Sequence, residues 1–227
     1  MRWQYRQAAH VLLRQGSRIR WVAGSAQIGT GPARLNLGSG RSSLSGWINC
    51  DLNPFASPDI WVDLRDRWPL RDESVEAIYI RHCLEHFDES DGLRILKQCG
   101  RVLRTGGAIR IGVPSLESAI TEYLTGDFGF AAWLADAQSI GRRFNRYMLD
   151  DGAHHSMYDF SYLEELLSLA GFEESVRCIG GSTRFLTREL LHPGDNEQDA
   201  QTLYVEARRR ERKLRSVTRS SGVTENA

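Results

Sequence analysis

Leu35-Asn36-Leu37-Gly38-Ser39-Gly40 is a short apolar run that breaks into a glycine turn, and Gly46-Trp47-Ile48-Asn49-Cys50-Asp51-Leu52 follows as a second run that stops at an acid. A run of this length bounded by a glycine turn reads as a buried β-strand. Gly38 and Gly40 let a ligand approach the backbone closely and meet exposed N–H groups. Only ten residues separate Gly40 from Asp51, too few for a full crossover helix between adjacent parallel strands. That connection is expected to be a loop or a single turn.

The same pattern repeats outward. Asp59–Val62 stops at Asp63, Val75–Ile80 at Arg81-His82, and Ala108–Val113 at Pro114. Helical spacing falls at about Asp91–Leu103, with Leu93, Leu96, the Cys99/Gly100 pair and Leu103 facing inward, and at Tyr162–Ala170, closed by Gly171. Two last runs, Glu174–Cys178 and Thr202–Ala207, complete the sheet, the final one inserting antiparallel. Alternating strands and helices predict an α/β fold, a mostly parallel sheet with helices on both faces. In such a sheet the run ends share one edge, the carboxyl edge, where ligands bind.

The 227 residues carry 29 basic and 29 acidic side chains, with 41% hydrophobic residues. This suits a single soluble domain with appendages and excludes a disordered chain. No apolar run approaches the roughly 18 residues of a membrane span. The neutrality is unevenly distributed. Residues 1–34 hold six Arg and no acid, residues 206–227 are net +4, and residues 35–205 are net −10. An acidic body argues against nucleic acid as a partner. The basic ends suit peripheral contact with an anionic membrane surface. Cys50, Cys83, Cys99 and Cys178 show no CxxC pair and no zinc spacing, so reduced thiols, a cytoplasmic location and no metal centre are expected.

Residues 1–33 read as an extension with an amphipathic helix (Tyr5, Ala8, Ala9, Leu12, Leu13), packed on the domain edge, anchored at an interface or acting as a transit peptide. Residues 34–207 form the domain, with 116–151 as an insertion, and 208–227 a frayed helix and disordered tail.

The positions after Gly40 are Arg41, Ser42 and Ser43, so the GxGxxG signature of pyrophosphate binding is missing. Acids at the next two strand tips suit an adenosine group without phosphate. Asp51 is placed to accept ribose hydroxyls, and Asp63 to accept an adenine amino group or to organise the loop that does. The plainer readings are a turn residue in Asp-Leu-Asn-Pro for Asp51 and a cap on Leu64-Arg65-Asp66 for Asp63.

These residues resemble the class I S-adenosylmethionine-dependent methyltransferases, in particular a small bacterial, type 11-like branch that opens LN-(L/I)-GSG…GW-IN-x-DL. Asp63-Leu64-Arg65 with Trp68 to Val75 is similar to its DLR…LPF-x-D-x-SV segment. Ile78 to Phe87 is similar to its IYxxHxLEHF block, and Arg101 to Pro114 to RVLKPGGxLRIxVP. The resemblance spans Arg34 to Ala207 and implies a Rossmann-like fold, S-adenosylmethionine as cofactor, and methyl transfer. It implies that Asn36, Gly38, Ser39 and Gly40 bind the cofactor, the last three cradling its methionine part. Asp51 and Leu52 would meet the ribose, Asp63 and Leu64 the adenine, and Arg81 and His82 would line the transfer cleft. Glu85 and His86 lean toward a structural role as a helix start and its support. Asn36 departs from the acid usual at its position, and Thr105 from a proline.

Ala153-His154-His155-Ser156-Met157-Tyr158-Asp159 resembles the family's GH-xxx-YD motif. A neutral imidazole suits proton removal from a hydroxyl acceptor, which nominates His154 as base, together with His82 in the cleft. His155, Tyr158, Asp159, Phe144 and Asn145 are the expected acceptor pocket. The plainer reading makes Tyr158-Asp159 the start of the next helix, with Asp159 or Ser161 as its N-cap. Insertion aromatics with Arg142, Arg143, Asn145 and Arg146 suit a sugar or anionic group. Relatives in this branch are linked with polysaccharide or glycolipid assembly, which implies a sugar or glycan hydroxyl as acceptor. The alternative is a non-catalytic module of the same fold that binds a membrane or a glycan-assembly partner.

Overall fold

The computed structural model describes residues 33–126, 137–191, 195 and 201–209. Seven strands, β1 (Ala33–Leu37), β2 (Ile48–Asp51), β3 (Ile60–Trp61), β4 (Val75–Arg81), β5 (Leu103–Pro114), β6 (Phe172–Cys178) and β7 (Thr202–Arg209), form one sheet in the order β3-β2-β1-β4-β5-β7-β6. β1 through β5 pair in parallel, and β7 inserts antiparallel between β5 and β6. The sheet is therefore the expected one, with its odd strand where the sequence put it. β7 runs two residues beyond Ala207, so Arg208 and Arg209 are paired strand and not the start of a frayed helix. β1 and β2 are joined by a loop that buries Leu44 and Trp47, as the short spacing requires.

The helices are α1 (Glu89–Val102), α2 (Leu116–Thr125), α3 (Ile140–Leu149) and α4 (Phe160–Leu169). Each starts at a side chain that accepts a backbone N–H of the first turn: Asp88 from Asp91, Ser115 from Ser118, Ser139 from Arg142 and Asp159 from Tyr162. Such caps satisfy donors that the helix itself leaves unpaired. Residue alternation along the strands divides the interior. Leu35, Leu37, Ile78, Ile80, Ile109, Ile111 and Val205 pack under Ile95, Leu96, Cys99 and Val102 of α1 and Leu163, Leu166 and Leu167 of α4. Gly100 lets α1 approach α4, since a β-carbon there would lie 2.8 Å from the Ala170 carbonyl oxygen.

The opposite face carries Ala77 and Tyr79 against Leu44, Trp47, Leu186 and Leu190. Beside them lies a polar core that periodicity does not foretell. Arg110 is fully buried and donates from Nε to Asp195 (2.9 Å) and from Nη1 to Glu206 (2.7 Å). Tyr79 donates to the other oxygen of Asp195. Three buried charges survive here because each has partners. α2 and α3 pack on each other around Ala119, Ala137, Tyr147 and Met148.

The expected N-terminal helix, the tail from residue 210, and Phe128, Phe130 and Trp133 of the insertion lie outside the described residues. Among the described residues no helix is long and apolar enough to cross a membrane.

Candidate functional site

At the carboxyl edge, β1 ends in a turn with Gly38 at φ +66° and Gly40 at φ +50°, a left-handed backbone that glycine enters at no steric cost. A β-carbon at Gly40 would meet nothing within 4 Å, so this backbone faces open space. Ser39 donates its N–H to the Cys50 carbonyl at 3.0 Å. Its hydroxyl is buried without a hydrogen-bond partner among the described residues. Asp51, at the tip of β2, accepts from Gly40 N and from Asn53 N, both at 2.7 Å. Each carboxylate oxygen keeps a lone pair for another donor. Leu52 is half-buried beside it and accepts Trp61 Nε1 through its carbonyl.

Asn36 and Asp63 are occupied by the protein itself. Asn36 is buried and spends both amide hydrogens, on Asn49 Oδ1 (2.9 Å) and on the Ser42 carbonyl (3.0 Å). It braces the glycine turn from below. Asp63 is buried, accepts Arg65 N at 3.0 Å and is gripped by the Arg65 guanidinium at 2.7–3.2 Å. Of its two expected roles this geometry suits loop organisation, holding buried Leu64 in place.

β4 ends in two residues that part company. Arg81 turns to the polar face, where Nε donates to Tyr204 Oη (3.3 Å) and faces Asp195 at 3.8 Å. It is not brought together with the cleft residues, because strand alternation sends it to the same face as Tyr79. His82 adopts φ +47°, a left-handed conformation that costs a non-glycine residue roughly 1–3 kcal/mol and clusters at functional sites. Its ring lies between Glu85 Oε1 and Thr202 Oγ1, both at 3.3 Å.

The next turn, Leu84–His86, meets the loop after α3 through several hydrogen bonds. The Glu85 carbonyl accepts His155 N (2.8 Å) and Ser156 N (3.2 Å), and Ser156 Oγ donates to the Phe87 carbonyl. His86 Nδ1 lies 3.0 Å from the Ala153 carbonyl, and His154 Nδ1 3.0 Å from the Met148 carbonyl. Carbonyl oxygens only accept, so both rings carry their proton on Nδ1 and keep a lone pair on Nε2. The rings stand edge to face with centroids 4.9 Å apart. Glu85 is 1% exposed, and its Oε2 has no hydrogen-bond partner among the described residues. Glu85 and His86, read from sequence as mainly structural, therefore stand with His154 at one corner. Their separation in sequence hides this, and the Glu-His pair beside a strand end was the available signal.

The other expected pocket residues disperse. Tyr158 is fully buried in the main core, stacked on Tyr162 at 5.3 Å, and burial pushes its phenol up to about 12. Asp159 is the N-cap of α4, and the Tyr162 N–H bond holds its carboxyl below the usual range. The plainer reading of Tyr158-Asp159 is the one the geometry supports. His155 is exposed, and Asn145 donates back to the Gly141 carbonyl of its own helix. Phe144 is half-buried and packs edge to face on Tyr123 with centroids 5.5 Å apart.

Residues 56–111 match the family model described as a methyltransferase domain. That stretch runs from the β2–β3 connection through most of β5, and it includes the Leu84–His86 turn. No curated protein matches the chain. Solved structures do. A protein from Bordetella parapertussis, described as a possible exported protein, is 12% identical over 86% of this chain and 68% of its own, with a TM-score of 0.50. A methyltransferase from Thermotoga maritima, described as a possible histamine N-methyltransferase, is 14% identical over 92% of this chain and 96% of its own (TM-score 0.48). The 1,6-didemethyltoxoflavin-N1-methyltransferase of Burkholderia thailandensis, solved with S-adenosylhomocysteine, is 17% identical over 88% of this chain and 78% of its own (TM-score 0.45).

Proposed function

We propose that this chain is a class I S-adenosylmethionine-dependent methyltransferase that directs its methyl group to a hydroxyl oxygen on a sugar, a glycan or another small acceptor. S-adenosylmethionine is the cofactor, and the carboxyl edge fits it. The orphaned Ser39 hydroxyl, the open backbone at Gly40 and the Asp51 carboxylate are a donor set for a molecule with a carboxylate at one end and ribose hydroxyls at the other. Bound there, the cofactor supplies a methyl carbon on a sulfonium, and the rest is positioning. Gly38, Ser39 and Gly40 would hold the methionine part and Asp51 the ribose. Leu52 and Leu64 would border the adenine, with Asp63 fixing their loop.

His154 carries the oxygen reading. A hydroxyl must lose its proton to become a competent nucleophile, and that needs a base. His154 is half-buried, with Nδ1 engaged by the Met148 carbonyl and the Nε2 lone pair left over. Glu85 stands within 4.8 Å of His154 and itself meets His82 at 3.3 Å, a pair that can order the acceptor or the base. The basic ends, residues 1–34 and 206–227, support peripheral contact with an anionic surface, which co-sedimentation with anionic liposomes tests.

The decisive experiment is a screen of free sugars and lipid-linked glycans for transfer of a labelled methyl group. His154→Ala should slow turnover while S-adenosylhomocysteine binds as before. Full turnover in that variant removes His154 as base, and transfer confined to amines removes the oxygen reading.

A further inference from the structure

We infer that Glu85, His86 and His154 form a binding site for a divalent first-row transition-metal ion of the zinc type. Each offers one ligand atom, and the three atoms lie within 4.8 Å of one another. Ligands at about 2.1 Å from a single ion stand roughly 3–4 Å apart, so side-chain shifts of about an ångström close the set.

Proximity alone would be weak, because surface acids and histidines often cluster. Three further features point to a cation. The first is the Glu85 carboxylate. It is 1% exposed, its Oε1 faces His82 Nδ1 at 3.3 Å, and its Oε2 has no hydrogen-bond partner among the described residues. A buried carboxylate oxygen left unpaired is unfavourable unless a cation or donor meets it.

The second feature is the orientation of the histidines. Metal-bound imidazoles generally donate their other ring N–H to a carbonyl or carboxylate, which fixes the tautomer and leaves the ligating lone pair free. Both histidines do so, His86 to Ala153 and His154 to Met148, each at 3.0 Å.

The third is support that does not depend on an ion. The bonds from His155 N and Ser156 N to the Glu85 carbonyl, and from Ser156 Oγ to the Phe87 carbonyl, hold the two loops together. The ligands are thus positioned before any metal arrives, as a functional site requires.

The donor set selects the ion. Two imidazoles and one carboxylate suit zinc, manganese, cobalt or iron, whereas magnesium and calcium favour oxygen alone. Three protein ligands leave a position for an exogenous oxygen. His86 is exposed and His154 half-buried, so an ion and an acceptor reach this corner from solvent.

If the acceptor is a hydroxyl, as proposed above, the ion gives that oxygen its place. In the ion-bound site the His154 Nε2 lone pair is a ligand and no longer the base of the metal-free reading, so the oxygen's O–H bond breaks with its proton leaving to water. A new O–C bond forms to the methyl group, and the C–S bond breaks with its electron pair retained on sulfur, giving the methyl ether and S-adenosylhomocysteine.

The test uses the full untagged chain, stripped with EDTA and desalted, then titrated calorimetrically with ZnCl2, MnCl2 or MgCl2. One Zn2+ per chain should bind with micromolar or tighter affinity and raise the Tm, with no response to MgCl2 at the same concentration. His86→Asn, at an exposed position that spares the core, should weaken binding tenfold or more, and His154→Asn likewise. Co2+ in place of Zn2+ should give visible absorption bands that His86→Asn removes, a signature a merely structural histidine would not move. Absence of stoichiometric binding, or binding by both variants as tight as that of the parent, overturns the site. Metal binding without methyl transfer to any hydroxyl supports the site and overturns the oxygen acceptor. Undiminished transfer by the EDTA-stripped chain overturns the metal's part in the reaction and leaves the acceptor reading standing.

Discussion

Gly38 and Cys83 are packed so closely that a β-carbon on Gly38 would lie 2.2 Å from Cys83 Sγ. This contact seats the glycine turn of β1 against the turn that follows β4. It holds the proposed methionine cradle beside the His82, Glu85 and His86 corner.

Gly38→Ala meets two penalties, that collision and the cost of a side chain at φ +66°, about 1–2 kcal/mol for the backbone alone. A fall of at least about tenfold in S-adenosylhomocysteine affinity is expected, with a lowered Tm. Gly38→Ala/Cys83→Ala removes the collision but not the backbone cost, so Tm should recover in part. Unchanged affinity in Gly38→Ala would separate this turn from the cofactor.

Asp51→Ala removes the acceptor for Gly40 N and Asn53 N as well as the proposed ribose contact. Hydrogen bonds to charged groups contribute about 1.5–3 kcal/mol, so cofactor affinity should drop roughly 10- to 100-fold in a calorimetric titration. Asp51→Asn keeps one acceptor oxygen and should fall between the variant and the parent. Equal affinity in all three would show that the ribose is held elsewhere.

Arg110→Met leaves Asp195 and Glu206 buried without the cation they share. Breaking a buried pair by removing one partner costs about 3–5 kcal/mol, which urea unfolding should report as a large fall in midpoint. Glu206 also accepts Arg184 N and Phe185 N, both at 2.8 Å, so the 182–186 segment should loosen as well. Arg110→Met/Glu206→Gln should recover part of the loss, since a neutral amide needs no counter-charge. An unaltered midpoint in the single variant would contradict the burial of this network.

Asp159→Ala should cost about 1 kcal/mol at neutral pH, the usual value of an N-cap, with methyl transfer unchanged. The folded carboxyl titrates below its ordinary 3.8. Its contribution is therefore complete above the unfolded pKa of about 3.9 and is lost as pH falls through the lower folded value. Parent and variant stabilities should converge below about pH 4. A variant that folds normally but loses turnover would return Asp159 to the acceptor pocket.

Much of the fold was legible because its signals are local. The strand from Leu35, the stop at Gly38-Ser39-Gly40, the acid at Asp51 and the capped helices lie in consecutive residues. The loop between β1 and β2 followed from chain length alone. The positions that went astray share a cause. Tyr158 and Asp159 sit inside a motif shaped like a site, yet one is core and the other a cap. Arg81 adjoins His82 in sequence, but alternation along β4 puts its side chain on the Tyr79 face, against Tyr204 and Asp195. Asn36, expected at the cofactor, spends both amide hydrogens on Asn49 and Ser42.

By itself the sequence determined the order of elements and the glycine turn with an acid on the next strand. These depend on hydrophobic period and turn chemistry within a few residues. Which side chains face one another across the folded chain was decided only by tertiary structure. Glu85 and His86 lie 69 and 68 residues before His154, a separation that carries no signal of contact. Two loops at one sheet edge bring them together, stitched by the Glu85 carbonyl. The burial that leaves Glu85 Oε2 without a partner likewise exists only after the core has closed around it, because exposure to water belongs to the fold and not to the residue.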